Sequence, residues 1–114
     1  LMPRSYTTPS VQENSYGTTP FISADGTSNG ILWMVDHGQP LQSAAPTSAT
    51  LRAYDTNNLS NELYNSGTNP GDVPGYGIKF TSPIVANGKV YISTVHAAVT
   101  ATNPQGELDV YGLK

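Results

Sequence analysis

Cysteine is absent from the 114 residues, which removes disulfides, thiolate-bound zinc and a thiol nucleophile from consideration. Charge is scarce too. Lys and Arg number 5, Asp and Glu 8, and the net charge is −3. Five scattered cations make no basic stripe, which speaks against nucleic-acid binding, and so low a charge excludes a coiled coil. The longest apolar run, residues 31–35, is far short of the roughly 20 residues that a membrane-spanning helix needs. The opening Leu1-Met2-Pro3-Arg4-Ser5 has no apolar stretch of the signal-peptide kind. Because it opens on Leu, the chain is read as a piece of a longer polypeptide.

What is abundant is turn chemistry. Ser, Thr, Asn, Gly and Pro make up nearly half of the residues, with 11 Gly and 9 Pro. These are poor formers of helix interiors, so the expected fold class is all-β, in one domain at most. Disorder would need low hydrophobicity combined with high net charge. Here the net charge is small and the 37% hydrophobic residues gather in short runs, so a folded chain is the better reading.

Those runs mark the strands. Residues 1–19 are polar and punctuated by Pro3 and Pro9, and read as an extended arm or loop. From Pro20, strands are predicted over 20–24 and 31–36, joined by Asp25-Gly26-Thr27-Ser28-Asn29-Gly30, whose Asp-Gly and Asn-Gly pairs tolerate positive φ. The second strand is apolar at every position from 31 to 35, the pattern of a strand buried on both faces. Further strands are predicted over 50–55, where Leu51 and Ala53 alternate with Arg52 and Tyr54, and over 62–65, with 56–61 as a turn. The second half predicts extended chain over 79–86, interrupted at Pro83, then strands over 89–95 and 107–112. Asn87-Gly88 between the first two supplies both positive-φ residues of a two-residue type I′ hairpin.

The two halves repeat one another. Pro20-Phe21-Ile22-Ser23-Ala24-Asp25-Gly26 matches Pro83-Ile84-Val85-Ala86-Asn87-Gly88 in type, each leads into an apolar strand, and each unit later closes on a strand ending in Tyr, Tyr54 and Tyr111. Several short strands in a period of roughly 40–60 residues are a propeller signal. The order Pro83-Ile84-Val85-Ala86-Asn87-Gly88-Lys89-Val90-Tyr91, followed by Leu108-Asp109-Val110-Tyr111-Gly112-Leu113, resembles blades of the pyrroloquinoline-quinone-type β-propeller, the quinoprotein alcohol-dehydrogenase-like superfamily. Ala53-Tyr54-Asp55-Thr56-Asn57-Asn58-Leu59-Ser60-Asn61-Glu62-Leu63-Tyr64 is similar to that family's docking motif. It departs in spacing by one residue, in Leu59 or Ser60 where Gly is usual, and in Tyr64 where Trp is usual.

The resemblance covers about residues 20–113. It implies one four-stranded blade over 20–66 and a last blade over 67–114 that lacks its outer strand, the strand that closed propellers of this kind often receive from the N-terminal end of the full chain. The ending from Val110 to Lys114 fits a natural C-terminus on this reading. Two blades would leave outer faces bare, so the segment is expected to be an incomplete fragment whose partners are the remaining blades.

Few residues suggest chemistry. His37 and His96 are the two histidines. A metal-ligand or general-base role is conceivable for His37, at the end of an apolar strand, against the plainer reading of a loop histidine. The Asp25–Gly30 loop has oxygen ligands beside glycine but lacks the carboxylates of a calcium loop, so it is read as a turn. Trp33 has the shape to stack on a flat quinone or a sugar, against the plainer reading of a core aromatic. Ala53, Asp55, Tyr64, Asn87 and Gly88 are assigned structural roles, Asp55 as the cap of an inter-strand turn. No nucleophile elbow and no phosphate-binding glycine loop is present.

The function expected is a non-catalytic scaffold or binding segment of a secreted, periplasmic or cell-envelope quinoprotein-like propeller, the compartment following from the resemblance. This segment alone is expected to be no enzyme and to hold no cofactor. One alternative is the C-terminal part of a quinone-dependent alcohol or sugar dehydrogenase whose catalytic residues lie upstream, with pyrroloquinoline quinone and calcium in the full-length protein. Another is a carbohydrate-binding β module, which seven Tyr and low charge permit.

Overall fold

The computed structural model of the chain describes residues 18–39, 46–96 and 105–112. Nearly all of the predicted arm, and the loop residues 40–45 and 97–104, lie outside the described residues. Within them the protein is all-β. Strands β1 (Phe21–Asp25), β2 (Ser28–Asp36), β3 (Thr50–Asp55) and β4 (Asn58–Asn65) form an antiparallel sheet in the order β1-β2-β3-β4. Strands β5 (Ile84–Ala86), β6 (Lys89–Val95) and β7 (Gly106–Gly112) form a second, three-stranded antiparallel sheet. Among the described residues neither sheet closes on itself, and no strand pairs with the outer edge of β7.

Local chemistry explains the turns. The β5–β6 hairpin turns on Asn87 and Gly88, at φ 51° and 69°, the left-handed pair that a type I′ turn demands. The β1–β2 connection is tighter than predicted. Only Gly26 and Thr27 form the turn, because Gly26 takes φ 58°, while Asn29 at φ 54° lies inside β2 opposite a register shift between Ser23 and Asp25. The β3–β4 turn likewise shrinks to Thr56 and Asn57, so β4 starts at residue 58 and not 62. Asp55 Oδ1 accepts the Asn57 N–H at 2.8 Å, and Thr56 donates its N–H and its hydroxyl to the Gly30 carbonyl. A Cβ at Gly30 would overlap the Thr56 hydroxyl, so only glycine admits this approach.

The extended chain predicted over 79–86 pairs only from Ile84. Thr81 N–H closes a turn on the Ile78 carbonyl, with Phe80 inside it at φ 66°.

The sheets meet face to face. Register places Trp33 beside Ala53 and Tyr64, and Val35 beside Leu51, on one face of the larger sheet. Val85, Val90 and Tyr111 line up on the facing side of the smaller one. Val35, Ala49, Leu51, Val90 and Ile92 form the shared buried core, with Trp33, Tyr64, Val85 and Tyr111 packed on it. β2 is less enclosed than its composition predicts. Met34 and Val35 are buried, whereas Ile31, Leu32 and Trp33 stay half-buried because the sheets cover only one end of the strand well.

Residues 74–77 stitch the sheets together at one end. Tyr76 bridges Ser48 on one side and Val95 on the other. Gly75 carbonyl accepts from Ala49 N–H at 2.9 Å, and Tyr76 and Val95 exchange two backbone bonds of 2.9 Å.

Candidate functional site

Between the sheets, away from that stitched end, lies a cleft of about 860 Å³, within the size range of small-molecule sites. Ile31, Ala53, Val85 and Val90 give it an apolar floor, and Trp33, Tyr64 and Tyr111 supply its aromatic walls. The turn-rich stretch after β4 adds Asn69 and Asp72 at its rim. That stretch forms two short 3₁₀ turns, Ser66–Thr68 and Pro70–Asp72, with Asn65 capping the first through a bond from Gly67 N–H.

Asp72 ties the two sheets across the cleft. Its Oδ2 accepts from the Tyr64 hydroxyl at 3.0 Å and from Asn69 Nδ2 at 2.8 Å, while its backbone carbonyl accepts from the Tyr111 hydroxyl at 2.9 Å. The two rings meet edge to face at 6.2 Å, a favoured aromatic geometry. Burial, then the bond to Asp72 and its negative charge, push the Tyr64 phenol up to about 12. Burial and the neighbouring Asp109 push Tyr111 higher still. Asp109 is itself raised by burial and by Glu107, against the bond it accepts from Thr94 at 2.5 Å. These phenols therefore act as hydrogen-bond donors and not as bases. The Trp33 indole N–H is already given to Ser23 Oγ at 2.9 Å.

Of the residues singled out in the sequence, Trp33, Ala53, Tyr64 and Gly88 come together around the cleft. Asp55 and Asn87 hold turns outside it. His37 is buried at 7% exposure near the stitched end, and His96 pairs with Glu107 at 3.3 Å on the surface. Asn69, Asp72 and Asp109 were not singled out by sequence reasoning. The signal that was there is the Asn-Pro-Gly-Asp turn at 69–72, which aims an acid at whatever packs above it.

A second polar group decorates the opposite face of the larger sheet. Arg52 Nη1 lies 2.7 Å from Glu62 Oε1, and Nη2 lies 3.7 Å from Asp36. Burial alone would lower the Arg52 pKa, but the Glu62 hydrogen bond and the surrounding negative charge outweigh it and raise it. The same bond holds Glu62 below its ordinary value despite the opposing effect of burial. This network fixes strand register and presents no free acid–base pair.

Among the described residues no three His, Asp or Glu side chains converge as a metal site. No helix among them is long and apolar enough to cross a membrane. Comparison with protein-family profiles, curated proteins and solved structures found no match to the chain.

Proposed function

We propose that the chain is a non-catalytic scaffold segment, two blades of a pyrroloquinoline-quinone-type β-propeller that pack against further sheets of the same architecture. One observation carries the reading. The outer face of the three-stranded sheet is apolar and bare, with Ile84 57%, Leu108 62% and Val110 48% exposed, and register sets Ile84, Tyr91 and Val110 side by side on it. A contiguous apolar face of this kind marks an interaction surface. The open β7 edge beside a four-stranded neighbour supports the same reading, since an unpaired edge is a template for another strand. On this reading the remaining blades are the partners and the protein is extracytoplasmic. Pyrroloquinoline quinone and calcium, where a longer protein uses them, are held by other blades.

The experiment is size-exclusion chromatography of the 114-residue chain beside Leu108→Ser and Val110→Thr variants. The unaltered chain should self-associate through the bare face, and the paired variants should shift it toward monomer. A monomeric, cooperatively melting parent chain would overturn the proposal.

The cleft favours one second reading, a carbohydrate-binding module. Trp33, Tyr64 and Tyr111 beside Asn69 and Asp72 around the cleft are the residue types that take a sugar ring and its hydroxyls. Quenching or enhancement of Trp33 emission by a neutral oligosaccharide, lost on Asp72→Ala, would support it. An unchanged spectrum across a glycan panel would dismiss it.

A further inference from the structure

His37 follows β2 directly, in a turn held by the neighbouring backbone. Asp36 Oδ1 accepts the Gly38 N–H at 3.1 Å, and Gly38 takes φ 58°. Gln39 and Thr47 exchange a backbone bond of 3.1 Å and a hydroxyl bond of 2.7 Å. The ring is more than nine-tenths enclosed, and its Nδ1 is buried with no hydrogen-bond partner. Against the His37 backbone lies the 74–77 strip. Gly77 approaches the His37 backbone so closely that a Cβ there would overlap its carbonyl. Pro74, Gly75 and Gly77 are themselves buried. That strip hydrogen-bonds both halves of the molecule by its backbone, through Ala49, Tyr76 and Val95.

We propose that His37 is an acid-sensitive latch on this seam: with the imidazole neutral the 74–77 strip stays seated between the sheets, and protonation releases it. A neutral ring fits the enclosed site. An imidazolium there is a buried charge whose Nδ1–H has nothing to donate to, which is costly unless the neighbourhood opens to water. The strip, whose Gly77 touches the His37 backbone, is able to move, because its hold on each sheet is a few backbone bonds and not a full ladder.

The charged groups around the ring do not cancel the effect. Asp36, the adjacent carboxylate, favours the proton, but its Oδ1 is taken by Gly38 and its Oδ2 faces Arg52. The strip carries Tyr76, and Lys79 follows it two residues beyond Gly77. Neither offers the ring a negative charge. Burial outweighs Asp36, and the pKa lies below the ordinary 6.5. A folded-state pKa below the unfolded one means that the neutral ring favours the fold. The contribution is present above pH 6.5 and is lost as pH falls from there through the lowered value. Each pKa unit of lowering is about a tenfold change in the opening equilibrium.

The test is hydrogen–deuterium exchange of the full chain between about pH 7.5 and about pH 5, corrected for intrinsic exchange. Protection of the seam amides, Ala49, Tyr76 and Val95, should fall several-fold at the acid end. Amides of β6 ahead of Val95, from Val90 to Thr94, and those of β7 should keep theirs. His37→Asn, or His37→Gln if the first folds poorly, should remove the pH dependence, and His96→Gln should leave it in place. Equal loss of protection in the parent and both His37 variants would overturn the latch. So would an imidazole that titrates at or above 6.5 by nuclear magnetic resonance.

Discussion

Replacing Ile92 by alanine should destabilise the sheet that does not contain it as much as the sheet that does. Ile92 sits on β6 with 1% exposure, inside the core that Val35, Ala49 and Leu51 share with Val90. The change removes three carbons. At about 0.8 kcal/mol per buried carbon the transfer loss is about 2.4 kcal/mol. The cavity adds to it, because Ala49 is too small to fill the gap, and the sum of about 3–4 kcal/mol falls inside the 2–5 kcal/mol range for such truncations. Against a typical total of roughly 5–15 kcal/mol, that loss moves the urea midpoint well beyond error. Trp33 is the single tryptophan and stands on β2, so its emission reports the four-stranded sheet while the mutation is in the other. The two sheets share one core, so the Trp33 transition should shift as far as the circular-dichroism transition does. Leu108→Ala, on β7 and largely exposed, should cost less than about 1 kcal/mol. An unchanged Trp33 midpoint in Ile92→Ala would refute the shared core. An equal cost for both variants would refute the exposure of the outer face.

Three further outcomes follow from single residues and a fourth from a pair of tyrosines. Phe80 is 92% exposed at φ 66°, a conformation that costs an L-residue roughly 1–2 kcal/mol, so Phe80→Gly should raise the melting temperature in calorimetry. Gly77→Ala has no room beside the His37 backbone and should cost about 1–3 kcal/mol or more in urea denaturation. Tyr111→Phe removes the hydroxyl bond to the Asp72 carbonyl and should cost about 1 kcal/mol by the same assay. Tyr64 and Tyr111 both ionise above the ordinary 10.0, so the fold favours their neutral forms. That stabilisation is complete below pH 10 and drains as pH climbs toward 12 and beyond. Ultraviolet titration should show two phenols that ionise late, together with loss of near-ultraviolet dichroism.

How much of this was legible in the chain depends on the kind of signal. The β5–β6 hairpin could be read because Asn-Gly at 87–88 is a backbone demand written in two residues. β3 was predicted over 50–55 and is observed as Thr50–Asp55, since Leu51 and Ala53 alternate cleanly with Arg52 and Tyr54. β4 was predicted too short because Asn58-Leu59-Ser60 carries no apolar alternation, and its pairing is set by the β3–β4 turn packed on Gly30. The extended reading before Pro83 fails at Phe80, a residue type that gives no warning of a left-handed backbone.

The site was legible only in part. Trp33, Ala53 and Tyr64 stood out, yet nothing in their spacing says that they face Tyr111 across a cleft or that Asp72 joins them. His37 looked like an ordinary loop histidine, and nothing near it in the chain says that Gly77, forty residues downstream, packs against its backbone. Sequence by itself determined that the chain is all-β, that it turns at Asn87-Gly88, and that Leu51 and Ala53 alternate with Arg52 and Tyr54 along β3. These are local matters of φ, hydrogen-bond competition and a period of two. Only the tertiary structure decided which face of each sheet meets the other, which apolar face is left bare, and which histidine is sealed. Those follow from long-range packing, and a strand's alternation marks its two faces without naming the partner of either.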